Sequence, residues 1–137
     1  MVTLDFNNDG RLDLIAGDLE QPATLLQNNS KLEGKSLYVS LVGTASDRNA
    51  ICTIVTVSNS DSEFSVTEQL TAGSGYQASN QRMLQFALPS KIASVQLTVQ
   101  WPSGKEDTFP ISVDSPANEV KIVESIGVFP IQANPSN

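Results

Sequence analysis

Ser94-Val95-Gln96-Leu97-Thr98-Val99-Gln100-Trp101 is the stretch on which the fold turns. Val95, Leu97, Val99 and Trp101 alternate with Ser94, Gln96, Thr98 and Gln100. A period of two puts the apolar set on one face of a strand and the polar set on the other. Such a strand belongs to a sheet with one buried and one solvated face. Working outward, residues 37–42, 51–58, 63–70, 82–88, 107–111 and 119–124 read as further short strands. Asn59-Ser60-Asp61, Gly73-Ser74-Gly75, Pro89-Ser90, Pro102-Ser103-Gly104 and Ser115-Pro116 punctuate the gaps as turns. No convincing helical period interrupts them. This pattern predicts an all-β fold, an antiparallel β-sandwich or barrel-like domain over residues 36–126. Residues 127–137 contain Pro130 and Pro135 and read as a flexible tail.

Ahead of that domain lies a different signal. Residues 5–13 read Asp-Phe-Asn-Asn-Asp-Gly-Arg-Leu-Asp. Asp5, Asn7, Asp9 and Asp13 stand at positions one, three, five and nine, and the carbonyl of Arg11 can fill position seven. A hard divalent cation takes six to eight such oxygens, and a glycine at position six, here Gly10, allows the sharp turn. An EF-hand would close with a glutamate at position twelve, where this chain has Ala16, and would need flanking helices. Val2-Thr3-Leu4 and Leu14-Ile15-Ala16 suit strands instead, so the expected element is a calcium (Ca2+) hairpin with Asp13 as its last carboxylate. The same residues also favour turns without metal. The match to D-x-[ND]-x-D-G-x-x-D-[LI] resembles the calcium repeat of integrin-type β-propellers, the FG-GAP or VCBS-like type. It predicts a partial repeat over residues 1–30. A blade buries its faces only against neighbours, so this repeat must pack on the β domain or on other blades.

Composition narrows the functions. The chain has 137 residues, one domain with an appended element. Its net charge is −7 with only eight basic residues, scattered along the sequence, which argues against nucleic acid. No apolar run is long enough for membrane insertion. The absence of histidine removes Ser-His-Asp and Cys-His mechanisms and imidazole-based zinc sites. Cys52 cannot form an internal disulfide; on a strand beside Ile51 and Ile54 it reads as a small buried apolar residue. Glu63, Glu68, Glu106 and Asp107 are available carboxylates, but nothing in the sequence pairs two of them as a glycosidase requires. Met1 leads straight into the first strand without a leader, as expected of a fragment of a longer protein.

Three further stretches act together: Gly43-Thr44-Ala45-Ser46-Asp47-Arg48-Asn49-Ala50-Ile51, then residues 72–82 around Gly73-Ser74-Gly75-Tyr76, then Trp101-Pro102-Ser103-Gly104. In that order they resemble the ASPIC/UnbV domain, which follows integrin-like repeats in secreted proteins. Its pattern has S-N-R-[DN]-A-I-G, G-S-G-Y-x-S-Q and W-P-S-G. Here Cys52 stands where the glycine is usual, and residues 84–89 carry no histidine where L-H-F-G-L-G is common. Taken alone, Gly73-Ser74-Gly75 reads as a structural turn rather than an anion nest, and Tyr76 as a corner tyrosine. Trp101 reads as core packing, and Arg48 as a partner for Asp47 or another carboxylate. Asn28-Asn29-Ser30 is a formal glycosylation sequon.

The resemblance implies a non-catalytic, secreted, calcium-binding recognition or adhesion module that contacts a protein or a glycan. The alternative is a structural cap of a larger propeller, with a homo-oligomer forming through an exposed blade face. A carbohydrate-active enzyme ranks behind both.

Overall fold

A computed structural model describes residues 1–7, 9–17, 20–31, 33–59, 63–73, 78–115 and 117–131. Eleven strands form three sheets among them. β1 (Val2–Leu4), β2 (Asp13–Ala16) and β3 (Thr24–Leu26) make a small antiparallel sheet in chain order. β4 (Gly34–Val42), β7 (Met83–Pro89), β10 (Ala117–Val123) and β11 (Gly127–Ile131) form the second, in the order β11-β10-β4-β7. β5 (Ile54–Ser58), β6 (Ser65–Gln69), β8 (Ser94–Gln100) and β9 (Glu106–Ser112) form the third, in the order β6-β5-β8-β9.

The two four-stranded sheets face each other over one core. Leu37, Val39 and Leu41 of β4 meet Val55 and Val57 of β5 and Val95, Leu97 and Val99 of β8 in a single buried cluster. Alternation along β8 decides which residues enter it, and Trp101 closes one end at 3% exposure. The architecture is thus an open sandwich and not a closed barrel. It departs from the purely antiparallel expectation in one ladder: β10 runs parallel to β4 through seven registered pairs, Ala117–Ser36 to Val123–Val42. Parallel neighbours cannot be joined by a tight hairpin. The chain satisfies this by crossing between sheets, from β4 to β5 and β6, back to β7, out to β8 and β9, and back to β10. Lys35 fastens one end of this crossing, donating to the carbonyls of Ile92 (2.8 Å) and Val113 (2.7 Å).

Two local expectations need correction. Residues 127–131, expected in a flexible tail, are the edge strand β11, paired with β10 from Val123–Gly127 to Glu119–Ile131. Pro130 is tolerated because an edge strand leaves one side of its backbone unpaired. Residues 132–137 lie outside the described residues.

Cys52, expected as a buried residue on a strand, is instead exposed in a turn. Ala50 and Cys52 adopt φ of 53° and 71°. This turn delivers the Cys52 N–H to the Leu70 carbonyl (2.8 Å) and the Leu70 N–H to that of Thr53 (2.9 Å). A left-handed residue is where glycine is favoured, which explains physically why cysteine is out of place here. Cys52→Gly should therefore stabilise the fold by about 1 kcal/mol, raising the melting point by a few degrees. A lower melting point for that variant would mean that the thiol makes compensating contacts.

Candidate functional site

The loop of residues 5–13 joins β1 to β2 and bends as its spacing requires, with Gly10 at φ 85°. Asp5 sits at the centre of the bend. Its Oδ1 accepts the Asp9 N–H (3.0 Å), and its Oδ2 accepts the Gly10 N–H (2.8 Å) and the Tyr38 hydroxyl (2.7 Å). Asp13 closes the far end: it is 1% exposed, and its two oxygens accept the N–H groups of Phe6 (2.9 Å) and Asn28 (2.7 Å). Buried carboxylates need such donors, because an uncompensated one is costly.

Asp9 behaves differently. Its Oδ1 accepts the Arg11 N–H (2.9 Å), and its Oδ2 accepts the Asn7 amide (2.7 Å) and the Arg11 guanidinium. Partial desolvation pushes this carboxyl up; the bonds from Asn7 and Arg11 and the guanidinium charge outweigh that and hold it below the ordinary value. Arg11 thus enters the site through its side chain, whose Nε also donates to the Asn28 carbonyl (2.9 Å). Asp5, Asn7, Asp9, Arg11 and Asp13 are brought into one loop, but among the described residues no three acidic side chains gather at one point. Their residue types are those a hard cation takes, oxygen donors throughout, with the Arg11 guanidinium resting on Asp9 and the Asp9 and Gly10 N–H groups on Asp5.

The sandwich holds this loop from below. Tyr38 reaches Asp5 from β4, and the Gly10 carbonyl accepts both the Ser36 hydroxyl and the Gln85 amide (3.0 Å) from β4 and β7. Gln85 also donates to the Tyr38 hydroxyl (3.1 Å). Burial and the Asp5 and Asp9 carboxylates push the Tyr38 phenol upward, so it remains a neutral donor. Ser36, Tyr38 and Gln85 share the outer face of their sheet, since their strand neighbours Leu37, Val39, Leu84 and Phe86 point into the core. Nothing in the sequence marks them as loop contacts. Asn28, recognised in the sequence only as a sequon, is the residue that links Asp13 to Arg11.

At the opposite end of β4 a second polar cluster gathers two of the three sequence motifs. Glu124 is fully buried, and its Oε2 accepts the N–H groups of Thr44 (2.8 Å), Ala45 (2.9 Å) and Ser46 (2.7 Å). Oε1 accepts the hydroxyls of Ser46 (3.0 Å) and Ser103 (2.5 Å), and the Ser103 N–H returns to the Ser46 hydroxyl (3.1 Å). Burial works to raise this carboxyl, but the donors from Ser103, Ser46 and Thr44 hold it down at about 2. The Gly43–Ser46 loop is a nest of backbone amides, with an internal carboxylate in the place an anion would take. Trp101 fixes the same corner through its indole N–H to Asp107 (2.9 Å), which also pairs with Lys105 (3.2 Å). Pro102-Ser103-Gly104 turns β8 into β9, as its composition predicts.

The other sequence candidates lie elsewhere. Asp47 accepts the Asn49 N–H (2.9 Å), and Arg48 forms no ion pair among the described residues. Glu106 and Asp107 are successive on β9 and so point to opposite faces. Ser74 to Gln77, including Tyr76, lie outside the described residues. Among the described residues no helix is long and apolar enough to cross a membrane.

Comparison with known proteins matches residues 43–126 to the family model described as ASPIC and UnbV. No curated protein and no solved structure matches the chain.

Proposed function

The chain belongs to the ASPIC and UnbV family, whose domains are generally extracellular, and on that footing we propose that it is a secreted, non-catalytic recognition or adhesion module stiffened by calcium. The observation that carries the metal part is the loop: Asp5, Asn7, Asp9, the Arg11 carbonyl and Asp13 at calcium-loop spacing, wrapped on a left-handed Gly10. Calcium there would neutralise carboxylates that now depend on N–H donors and one guanidinium. The ion would supply charge and a fixed shell, with no reaction of its own. Because a folded loop binds metal better than the unfolded chain, calcium would also stabilise the fold by linkage. Millimolar extracellular calcium fills even a weak site of this kind. A protein or glycan partner would then meet loops whose positions the ion fixes.

Calorimetric titration of the EDTA-stripped chain with calcium tests this reading, with a melting curve recorded alongside. One site and a melting point that rises with calcium are expected, and Asp9→Ala should abolish binding while leaving the sandwich folded. An absence of binding up to about 10 mM, well above the range of weak extracellular modules, would remove calcium from the account.

One observation favours a second reading, assembly against a further β-sheet. All three residues of β3 are exposed, Leu26 at 56%, and Phe6 and Leu12 are exposed nearby. An open edge strand bearing leucines is a template for pairing. Light scattering on the purified chain tests it: a concentration-dependent dimer supports assembly through β3, and a monomer at all concentrations removes self-association.

A further inference from the structure

The loop already holds a cation of its own. The Arg11 guanidinium lies on Asp9 and is steered there by a second bond, from Nε to the Asn28 carbonyl (2.9 Å). Asn28 is in turn fixed by its N–H to Asp13 (2.7 Å). The side chain therefore touches the middle of the loop directly and its far end, Asp13, through Asn28. It is half-buried and preorganised on both sides, unlike a free surface arginine. With Asp5, Asp9 and Asp13 it leaves a net charge of −2 in the loop.

We propose that Arg11 is a tethered counter-ion, which holds the loop closed without metal and sets a weak affinity by competing with calcium for Asp9. This rests on the calcium reading above. A monovalent cation within about 6 Å of a divalent one lowers its binding roughly tenfold even at the dielectric constant of water. Arg11 therefore has two effects of opposite sign. It stabilises the metal-free chain and weakens the metal-bound one, which places the affinity in the weak range of extracellular modules. Glutamine at this position keeps the carbonyl ligand and removes the guanidinium, with its charge and its bonds to Asp9 and Asn28.

The test compares the full-length parent, Arg11→Gln and Arg11→Lys by calcium titration and by melting in EDTA at low and high salt. Arg11→Gln should bind calcium about tenfold more tightly, melt lower in EDTA, and lose that difference in high salt. Arg11→Lys keeps the charge and should stay near the parent in affinity. Binding by Arg11→Gln alone, with none in the parent at about 10 mM, would overturn the proposed tuning, because the natural chain would then carry no calcium at extracellular levels. If the parent binds and Arg11→Gln binds no more tightly, the counter-ion role is wrong and the calcium loop stands. If neither binds at about 10 mM, both fall together.

Discussion

Glu124→Ala should lower the melting point by roughly 10 °C or more, the largest effect of any single side-chain truncation outside the apolar core. Five donors converge on that carboxylate: three backbone N–H groups from residues 44–46 and the hydroxyls of Ser46 and Ser103. Alanine leaves them without their acceptor beneath a loop whose Thr44, Ala45 and Ser103 are exposed, and each donor that water does not reach costs about 1–3 kcal/mol. Partial entry of water offsets some of this, so the expected net loss is roughly 3–5 kcal/mol. Glu124→Gln keeps one acceptor oxygen and should lose less.

The same group gives a pH signature with a definite sign. Its folded value of about 2 lies below the ordinary 4.5, so the carboxylate's contribution is complete above 4.5 and is lost as pH falls from there toward 2. The stability difference between the parent and Glu124→Gln should therefore shrink across that window. A difference independent of pH in chemical denaturation would show that the carboxylate is not the group responsible.

Gly43→Ala should be nearly as damaging, for a steric reason. A Cβ at this position would stand 2.1 Å from the Asp47 carbonyl oxygen and 2.8 Å from that of Ser46. Both are backbone atoms of one tight loop, so no side chain can rotate away. The loop must open, and opening it withdraws the N–H groups of residues 44–46 from Glu124. Overpacking of this kind costs about 1–3 kcal/mol, to which part of the lost carboxylate bonding adds. Because the two substitutions damage one network, the double variant should lose clearly less than the sum of the single losses. Additive losses in urea denaturation would mean that the glycine and the carboxylate act independently.

Two of the family motifs serve the fold at this end of the sandwich. The segment from Gly43 to Ser46 and Ser103 of the Trp101–Gly104 turn converge on a buried internal carboxylate. They specify how the two sheets close at one end. The loop on which the proposed function rests lies at the other end of β4, held by Ser36 and Tyr38.

The period-two strands, the buried face of β8, the turn positions and the oxygen-bearing residue types of the loop are legible without the fold. Each of these is set by neighbours within a few residues, which is the range over which side-chain alternation and turn chemistry act. Glu124 was partly legible too. It continues the inward phase of Val120 and Ile122, and a carboxylate at such a register position must find donors. Which donors it finds depended on β10 lying parallel to β4, a pairing between segments some 80 residues apart. The left-handed turn at Cys52 and the pairing of residues 127–131 with β10 were likewise decided by tertiary contacts. So was the placement of Tyr38 and Gln85 beneath Asp5 and Gly10. Serine, tyrosine and glutamine on an outward strand face look solvent-facing in any sequence; only the packing of a second sheet's loop against them turns them into part of a site.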